Sequence, residues 1–290
     1  MNMQSILRNT RAALAYLGTN PKMVAGMAIL AVLLLIGIIG PLFVDIRLAE
    51  PISVRTNQPP SAEHWLGTDS GGRDLLAVVI AGTPQTLRMG VLAGVIGTTI
   101  GVMLGLFSGY FGGWWDRIIG AVTDTMLTIP PLAILLVVAS SVRAVNVEMM
   151  ALIIAALSWM HATRVIRAQV LALRELGYVQ MARLSGLGSF SIIFREIFPN
   201  VIPIAFASLV GATSGAILSG MGLEVLGLGP QNTPTLGMTV YWALLYAAFS
   251  RGMWWWWSPP VIILALLFIA LFLIASALDD FANPRLRSQS

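Results

Sequence analysis

Long runs of apolar residues, separated by short polar segments, dominate this sequence. A helix needs about 20 apolar residues to cross a hydrocarbon core of roughly 30 Å, so runs of that length predict membrane-spanning helices. Six such runs lie near residues 24–44, 89–111, 118–141, 149–168, 201–223 and 258–278. The pattern therefore predicts an all-α membrane protein with about six transmembrane helices.

The polar stretches between the runs divide the chain into tails, a loop and a helical core. An N-terminal tail includes a basic amphipathic stretch from Leu7 to Leu17, which is typical of a helix on a membrane surface or of plain flanking charge. The predicted segments are a tail at 1–22, a first transmembrane helix at 23–44, a loop at 45–88, a five-helix core at 89–279 with a hairpin at 174–200, and a tail at 280–290.

A shorter apolar stretch, residues 236–249, stands between the fifth and sixth runs. Its 14 residues are too few for a crossing, so we expect a re-entrant or interfacial helix. The four consecutive indoles of Trp254–Trp257 follow. They favour a membrane-interface belt over a stacking site for a ligand.

Glycines at strict four-residue spacing mark one face of the second run. They are Gly97, Gly101, Gly105, Gly109 and Gly113, preceded at the same interval by Gly90 and Gly94. Small residues at this spacing let two helices approach closely in lipid. The face is therefore predicted to be a seam between helices, with a permeation wall as the alternative, and Gly211 and Gly215 predict a second seam.

Composition and charge narrow the class of protein. The chain is 57% hydrophobic, 10% charged and free of cysteine, which excludes a disulfide framework and thiolate chemistry. The net charge is +4. Basic residues favour the cytoplasmic segments of membrane proteins, so their positions indicate how the chain is oriented in the membrane. Eleven basic residues fall on one side of a six-span arrangement and six on the other, which predicts cytosolic N- and C-termini. The sequence has no basic patch interleaved with aromatic residues, so it does not suggest nucleic-acid binding.

The hairpin at 174–200 is the most polar part of the predicted core. Ala182 and Gly186 are four residues apart and share a helix face, and Gly186 with Gly188 predicts a turn. An apolar stripe at helical spacing follows, made of Phe190, Ile193, Phe194 and Ile197. The pattern predicts a helix-turn-helix whose apolar ridge could dock in a groove on a soluble partner.

This segment resembles the EAA loop of ABC importer permeases. Every interval of that motif is present: Gln180, Met181 and Ala182 stand on E-A-A, Gly186 on the glycine, Glu196 and Phe198 on I and L, and Pro199 on the proline. The resemblance implies that these positions, with Tyr178 and Arg183 beside them, contact a cytosolic ATPase. Gln180, Met181 and Glu196 depart from the usual residues.

Other motifs resemble those of the C-type permease in dipeptide, oligopeptide and nickel importers, and the likeness covers nearly the whole chain. They are the loop residues Gly67, Thr68, Asp69, Gly72, Arg73 and Asp74, the turn Gly109–Asp116, the segment Glu224–Gly229, and the ending Phe281–Arg285. The resemblance implies a type I ABC importer permease fold. In the loop, Asp69, Arg73 and Asp74 are expected to brace the backbone through paired charges, with contact to a binding protein as the alternative.

The resemblance also implies a function and partners. It describes one transmembrane subunit of an ATP-driven importer in a bacterial or archaeal plasma membrane, paired with a second homologous permease, two cytosolic ATPases and an extracytoplasmic solute-binding protein. No P-loop occurs in the sequence, so ATP and Mg²⁺ are expected on the ATPase subunits and no cofactor on this chain. Peptides are the expected substrate, and nickel chelates and oligosaccharides are the alternatives.

Two acids, Asp124 and Glu224, fall within apolar runs. A carboxylate in lipid is costly, so each is expected to face either a translocation path or a hydrogen-bonding partner inside the bundle. Pro130 and Pro131 are expected to kink the helix that carries Asp124.

Two other classes of protein remain as alternatives. An ion-coupled secondary transporter would need inverted repeats and ion-binding groups at mid-membrane, and only the two acids suggest it. An intramembrane enzyme would need a nucleophile and a base, for which His161 beside Arg164 offers no visible partner.

Overall fold

The computed structural model describes residues 18–142 and 145–282, and within these ranges the regular structure is helical. The basic stretch Leu7–Leu17 and most of the C-terminal ending lie outside the described residues. The helices are α1 Pro21–Ile39, α2 Leu75–Phe111, α3 Gly113–Thr128, α4 Pro131–Ser140, α5 Val147–Leu173, α6 Gly177–Leu184, α7 Ser189–Ile192, α8 Phe198–Val225, α9 Leu236–Leu245 and α10 Trp254–Ala282. Short 3₁₀ turns cover Gly40–Leu42 and Ile46–Ala49, and a π-helical turn at Ile193–Ile197 joins α7 to α8.

Among the described residues, five helical segments are long and apolar enough to cross a membrane, and α3 with α4 forms a sixth, bent one. The kink expected at Pro130 and Pro131 is an 85° break that divides the span into two helices. Its cause is local: the residue before a proline disfavours helical backbone, and Ile129 is extended at ψ 130°. Pro131 then begins α4, where its missing N–H costs nothing.

The loop predicted at 45–88 is shorter in the structure, because α2 begins at Leu75. Asp74 caps this helix by accepting a hydrogen bond from the Ala77 amide at 3.0 Å. Residues 75–88 are helical and mostly buried, with Pro84 accommodated inside the helix. At 1.5 Å per residue the helix is about 55 Å long, so it extends well beyond a hydrocarbon core.

The glycine face of α2 packs against α5, as the spacing predicts. A Cβ atom built on Gly97 would lie 2.5 Å from Ser158 Cβ, and one on Gly101 would lie 2.5 Å from the Trp159 carbonyl oxygen. At Gly105 the nearest atom would be Ile166 Cβ, at 2.8 Å. The helices α2 and α5 run parallel in nearly direct backbone contact.

The remaining glycines of the pattern behave differently. Gly90 and Gly94 face α8, whereas Gly113 faces open space. No helix of the described chain forms the second seam predicted at Gly211 and Gly215, because a Cβ atom on either glycine would meet no described atom within 4 Å. Four-residue spacing shows that a helix face is bare, and it does not show that another helix covers it.

The bundle has two ends, which we call the hairpin end and the loop end. At the hairpin end lie α6, α7 and the ion pair between Lys22 Nζ and Asp280 Oδ2, 2.9 Å apart. At the loop end lie residues 43–74, 226–235 and 246–253. The start of α1 and the end of α10 therefore lie at the same end of the bundle.

The loop end contains the short helix and the tryptophan run. Helix α9 has ten residues, too few to cross, as predicted. The tryptophans form the first turn of α10, and Trp256 is fully buried against Leu75, Ala243 and Met253. The run was predicted to be an interface belt, but Trp256 is part of the packed core of the loop end.

The helical hairpin as candidate functional site

The predicted helix-turn-helix is present, although its second helix does not stop before Pro199. Helix α6 ends at Leu184, and Gly186 turns the chain at φ +80°, a backbone conformation that favours glycine. The Leu187 amide donates to the Ala182 carbonyl at 3.2 Å across this turn. After α7 the π-helical turn passes directly into α8, so the hairpin is continuous with a membrane-spanning helix.

The inner side of the hairpin is packed against the α2–α5 pair. Its fully or almost fully buried residues are Val179, Ala182, Ile192, Ile193 and Ile197, and they contact Leu106, Tyr110, Ile166 and Val170. Burial of an apolar side chain contributes roughly 1.5–3 kcal/mol to stability. The hairpin is therefore seated on both helices at once.

Polar contacts also hold the hairpin against α2 and α5. Arg174 Nη1 donates to the Gly109 carbonyl at 2.8 Å, which joins the end of α5 to the last turn of α2. Gln180 Nε2 donates to the Arg174 carbonyl at 3.1 Å. The Arg183 guanidinium lies 5.0 Å from the ring centroid of Tyr110. Gln180 stands where the motif has Glu, and its side chain bonds to a backbone carbonyl at the start of the hairpin.

The base of the hairpin is closed by Asn200, which donates to the Tyr178 hydroxyl at 3.3 Å and to the Glu196 carbonyl at 2.7 Å. Burial, with a smaller contribution from the charge of Glu196, raises the pKa of the Tyr178 phenol. Tyr178 is therefore a neutral hydroxyl at physiological pH. These contacts join the two arms of the motif.

The outer side of the hairpin presents apolar side chains that nothing in the described chain covers. Met181 is 63% exposed, Leu184 82% and Phe190 64%. The predicted stripe is divided: Ile193 and Ile197 are buried inward, and Phe190 and Phe194 remain exposed. Both phenylalanine rings contact the ring of Phe107 edge-on, at 6.0 and 6.5 Å between centroids. The Phe107 ring of α2 therefore supports the two exposed phenylalanines from the side of the bundle.

The loop motif is braced mainly through the backbone, which differs from the expected paired charges. Asp69 Oδ1 accepts from the amides of Gly71 and Arg73, each at 2.8 Å. Burial raises the pKa of this carboxyl, and those hydrogen bonds and the charge of Arg73 oppose the shift. Thr68 Oγ1 donates to the Arg55 carbonyl at 2.6 Å. Gly67 and Gly72 turn the chain at φ +70° and +71°.

Asp74 has a partner that the sequence analysis missed. Its Oδ2 lies 2.7 Å from His64 Nδ1 while Oδ1 caps α2. A separation of ten residues across a loop follows no helical or strand period, so only the local motif could have suggested the pair.

The two intramembrane acids lie in different settings. Glu224 is fully buried, and its Oε1 accepts from Thr235 Oγ1 at 2.7 Å. This geometry matches the hydrogen-bonding alternative, and the place of Glu224 in a translocation path stays a prediction. Asp124 is 64% exposed, with Arg164 Nε at 3.9 Å. Its place in a translocation path stays a prediction.

An open groove runs along the bundle beside α8. Small residues of α8 line one wall, including Gly211 and Gly215, and His161 of α5 and Pro131 of α4 line the other. The groove encloses about 280 Å³. It lies directly at the 85° break between α3 and α4.

A chain of the inward-facing MetNI methionine ABC transporter has the same fold. The TM-score is 0.50 over 71% of this chain and 94% of that chain, at 19% identity. The likeness confirms the predicted type I importer permease fold, and at this identity it shows the fold alone. The fold is therefore that of a helical, membrane-spanning protein.

The sequence matches the family described as "Binding-protein-dependent transport system inner membrane component" over residues 101–288. The chain belongs to this family. It is 31% identical to the oligopeptide transport system permease protein OppC of Mycobacterium bovis over 60% of each chain. It is 29% identical to the dipeptide transport system permease protein DppC of Alkalihalophilus pseudofirmus, over 96% of this chain and 90% of that one.

Proposed function

We propose that this chain is one transmembrane subunit of an ATP-driven peptide importer. Its family membership and the names of its relatives support this proposal over the ion-coupled secondary transporter and the intramembrane enzyme. Dipeptides or oligopeptides are the proposed substrates. A second homologous permease, two ATPases and a solute-binding protein are the proposed partners, and ATP with Mg²⁺ binds to the ATPases.

The hairpin couples the permease to an ATPase. The observation that carries this step is the contrast between its two sides: the inner residues are buried on α2 and α5, while Met181, Leu184 and Phe190 are exposed. Exposed apolar side chains that point away from the bundle fit a cleft on a soluble protein. Nucleotide can then shift the permease between two states only through its different affinity for them.

The hairpin end faces the cytosol in this proposal, and the loop end faces the outside of a bacterial or archaeal plasma membrane. The distribution of basic residues supports this orientation. A topology reporter inserted after Phe249 should therefore signal from the outer face. A cytosolic signal would contradict the orientation.

Site-specific crosslinking tests the coupling role directly, because the sequence contains no cysteine and each introduced thiol is unique. A photocrosslinker attached to Leu184→Cys in native membranes should capture an ATP-binding subunit. Trp65→Cys, 72% exposed at the opposite end, is the matched control and should not capture one. Equal capture by both variants, or by neither, would argue against the docking surface.

Co-purification from native membranes tests the whole assembly. Recovery of two ATPases, a second permease and a solute-binding protein would support the importer, and the ligand of the binding protein would identify the substrate. A stable chain recovered alone, without associated ATPase activity, would favour a self-contained transporter.

A further inference from the structure

A pair of opposite charges, Asp124 and Arg164, lies where the groove beside α8 opens toward the hairpin end. Leu127 of α3 and His161 of α5 line the groove. Asp124 lies one helical turn before Leu127 and shares its helix face, and Arg164 likewise lies one turn after His161. Because α3 begins and α5 ends at the hairpin end, both charges continue the lining of the groove in that direction.

The side chains of this pair are accessible, and their capacity to form hydrogen bonds is unused. Each is 64% exposed, and their closest atoms are 3.9 Å apart, too far for a hydrogen bond. Neither side chain has another hydrogen-bond partner within the described chain. On the same two helices, Asp116 and Arg167 form two hydrogen bonds with each other and are less exposed. That second pair joins the helices, so Asp124 and Arg164 are free to bind another molecule.

The position of the two charges within membrane-spanning helices indicates that they face water or a polar partner. Asp124 belongs to the bent span formed by α3 and α4. Arg164 lies nine residues before the end of α5 at Leu173, about 14 Å along the axis. Charged side chains inside spans are costly in lipid and almost always face the interior of a bundle or a water-filled cavity. The groove is the cavity next to both of them.

The walls of the groove carry further polar groups. Ser158 is satisfied by its own helix, since its Oγ donates to the Ile154 carbonyl at 2.9 Å. Ser208 and Ser219 of α8, which are partly exposed, and His161, which is exposed, line the groove and have no hydrogen-bond partner in the part of the chain that the structure describes. The groove therefore offers two hydroxyl groups and an imidazole to a polar solute that passes the charged pair.

A peptide with free termini carries the two charges that complement this pair. Its ammonium group suits a carboxylate, and its carboxylate suits a guanidinium, which can bind it through two parallel hydrogen bonds. We infer that Asp124 and Arg164 form a peptide subsite at the mouth of the groove, where Asp124 binds the ammonium group and Arg164 the carboxylate. The inference rests on the proposed function and deepens it. Exposed ion pairs are weak, which suits a transport path that must release its ligand.

Protection of a cysteine in the groove measures whether a peptide occupies it. Ser208→Cys places a unique thiol on the α8 wall, because the sequence contains no cysteine. Native membranes are dispersed directly into lipid nanodiscs, so that partner subunits stay with the chain and both faces are open to a charged, water-soluble thiol reagent. The reagent should modify this thiol much faster than that of Phe272→Cys, a control on α10 that is 70% exposed and does not line the groove. Equal rates, or no reaction at Ser208→Cys, would mean that lipid or another subunit fills the groove and would overturn the inference.

Four alanine dipeptides then separate the contributions of the two charges. They are Ala-Ala, N-acetyl-Ala-Ala, Ala-Ala-amide and the uncharged N-acetyl-Ala-Ala-amide. Ala-Ala should protect the thiol at a concentration about tenfold lower than the uncharged compound, and the two singly charged compounds should lie between them. Equal protection by all four, or protection by none, would contradict a subsite for charged termini.

Variants of the pair assign each charge to its partner. Asp124→Asn should remove the preference for a free amine over an N-acetyl group, and Arg164→Gln the preference for a free acid over an amide, each about three- to fivefold. Arg117→Gln, an exposed arginine of α3 that does not line the groove, is the matched control and should change neither preference. A purely structural role for the pair would not produce this matched pattern. Both preferences unchanged in both variants would exclude Asp124 and Arg164 as ligands.

Crosslinking from Leu184→Cys in the same membranes tests the proposed function separately. Capture of an ATPase there, without charge-dependent protection of the groove, would reject the subsite and leave the importer standing. Charge-dependent protection without capture would support the subsite and count against the coupling role of the hairpin.

Discussion

Asp116 and Arg167 form a two-pronged ion pair between α3 and α5, with Arg167 Nε and Nη2 donating to the two carboxylate oxygens at 2.5 and 2.9 Å. The pair is partly buried, with side-chain exposures of 17% and 29%. It fastens the start of α3 to the helix on which the hairpin is seated. Asp116 ends the glycine-rich turn that the sequence singled out.

This ion pair should stabilise the bundle measurably. A double-mutant cycle with Asp116→Asn and Arg167→Gln is expected to give a coupling energy of about 1–3 kcal/mol, between the values for exposed and buried pairs. Unfolding in detergent measures it. The matched control is Asp124 with Arg164 on the same two helices, 3.9 Å apart and 64% exposed, which should give less than about 0.5 kcal/mol. Equal energies for the two pairs would contradict the role assigned to burial.

The glycine seam predicts opposite effects for one substitution at two sites. Gly101→Ala places a Cβ atom 2.5 Å from a backbone oxygen, so it should destabilise the protein by about 1–3 kcal/mol through overpacking. Gly211→Ala meets nothing within 4 Å and gains helix propensity, so it should be neutral or stabilising by up to about 1 kcal/mol. Thermal unfolding distinguishes them. A loss at Gly211 as large as at Gly101 would mean that the groove is closed in the assembled protein.

The hydroxyl group of Thr235 should contribute to the stability of the protein. Its Oγ1 donates to the buried Glu224 and accepts from the Met238 amide at 3.2 Å, capping α9. Thr235→Val keeps the shape but removes both contacts, and should cost about 2–4 kcal/mol. Thr235→Ser retains the hydroxyl and should lose less than about 1 kcal/mol in the same unfolding assay. If Thr235→Ser lowers the free energy of unfolding as much as Thr235→Val does, the methyl group of Thr235, and not its hydroxyl, is what stabilises the protein.

Gly186 should tolerate a small residue better than a large one. Any L-residue at φ +80° costs roughly 1–2 kcal/mol, so Gly186→Ala measures this strain alone. Gly186→Arg adds bulk and charge beside the exposed surface of the hairpin and should leave the protein inserted while strongly reducing uptake of the proposed peptide substrate. Uptake assays with matched expression compare the two variants. Normal uptake by Gly186→Arg would count heavily against docking at this turn.

Hydropathy predicted the helices better than their boundaries. Residues 75–88 were assigned to the loop, outside the second apolar run, yet this stretch is helical and mostly buried. Hydropathy measures preference for lipid, and a helix covered by other helices does not need it. The same limitation hid the true start of α2 at Leu75, which Asp74 caps.

Periodicity predicted the hairpin, but it could not say what each face contacts. Ile193 and Phe194 belong to one predicted stripe, and the bundle buries the first and exposes the second. Partners distant in sequence, such as His64 with Asp74, depend on how loops fold back and leave no periodic signal. The motif positions were predictable, whereas their packing required the tertiary structure.

The seam between α2 and α5 has a mechanical consequence. From Gly97 to Gly109, about 18 Å along the axis, the glycine face of α2 presents no side chain to α5, so only short α5 side chains such as Ser158, Ile166 and Val170 separate the two backbones. We therefore expect a force applied to the hairpin to move both helices together. We expect bending to be concentrated at the break at Pro130, beside the open groove.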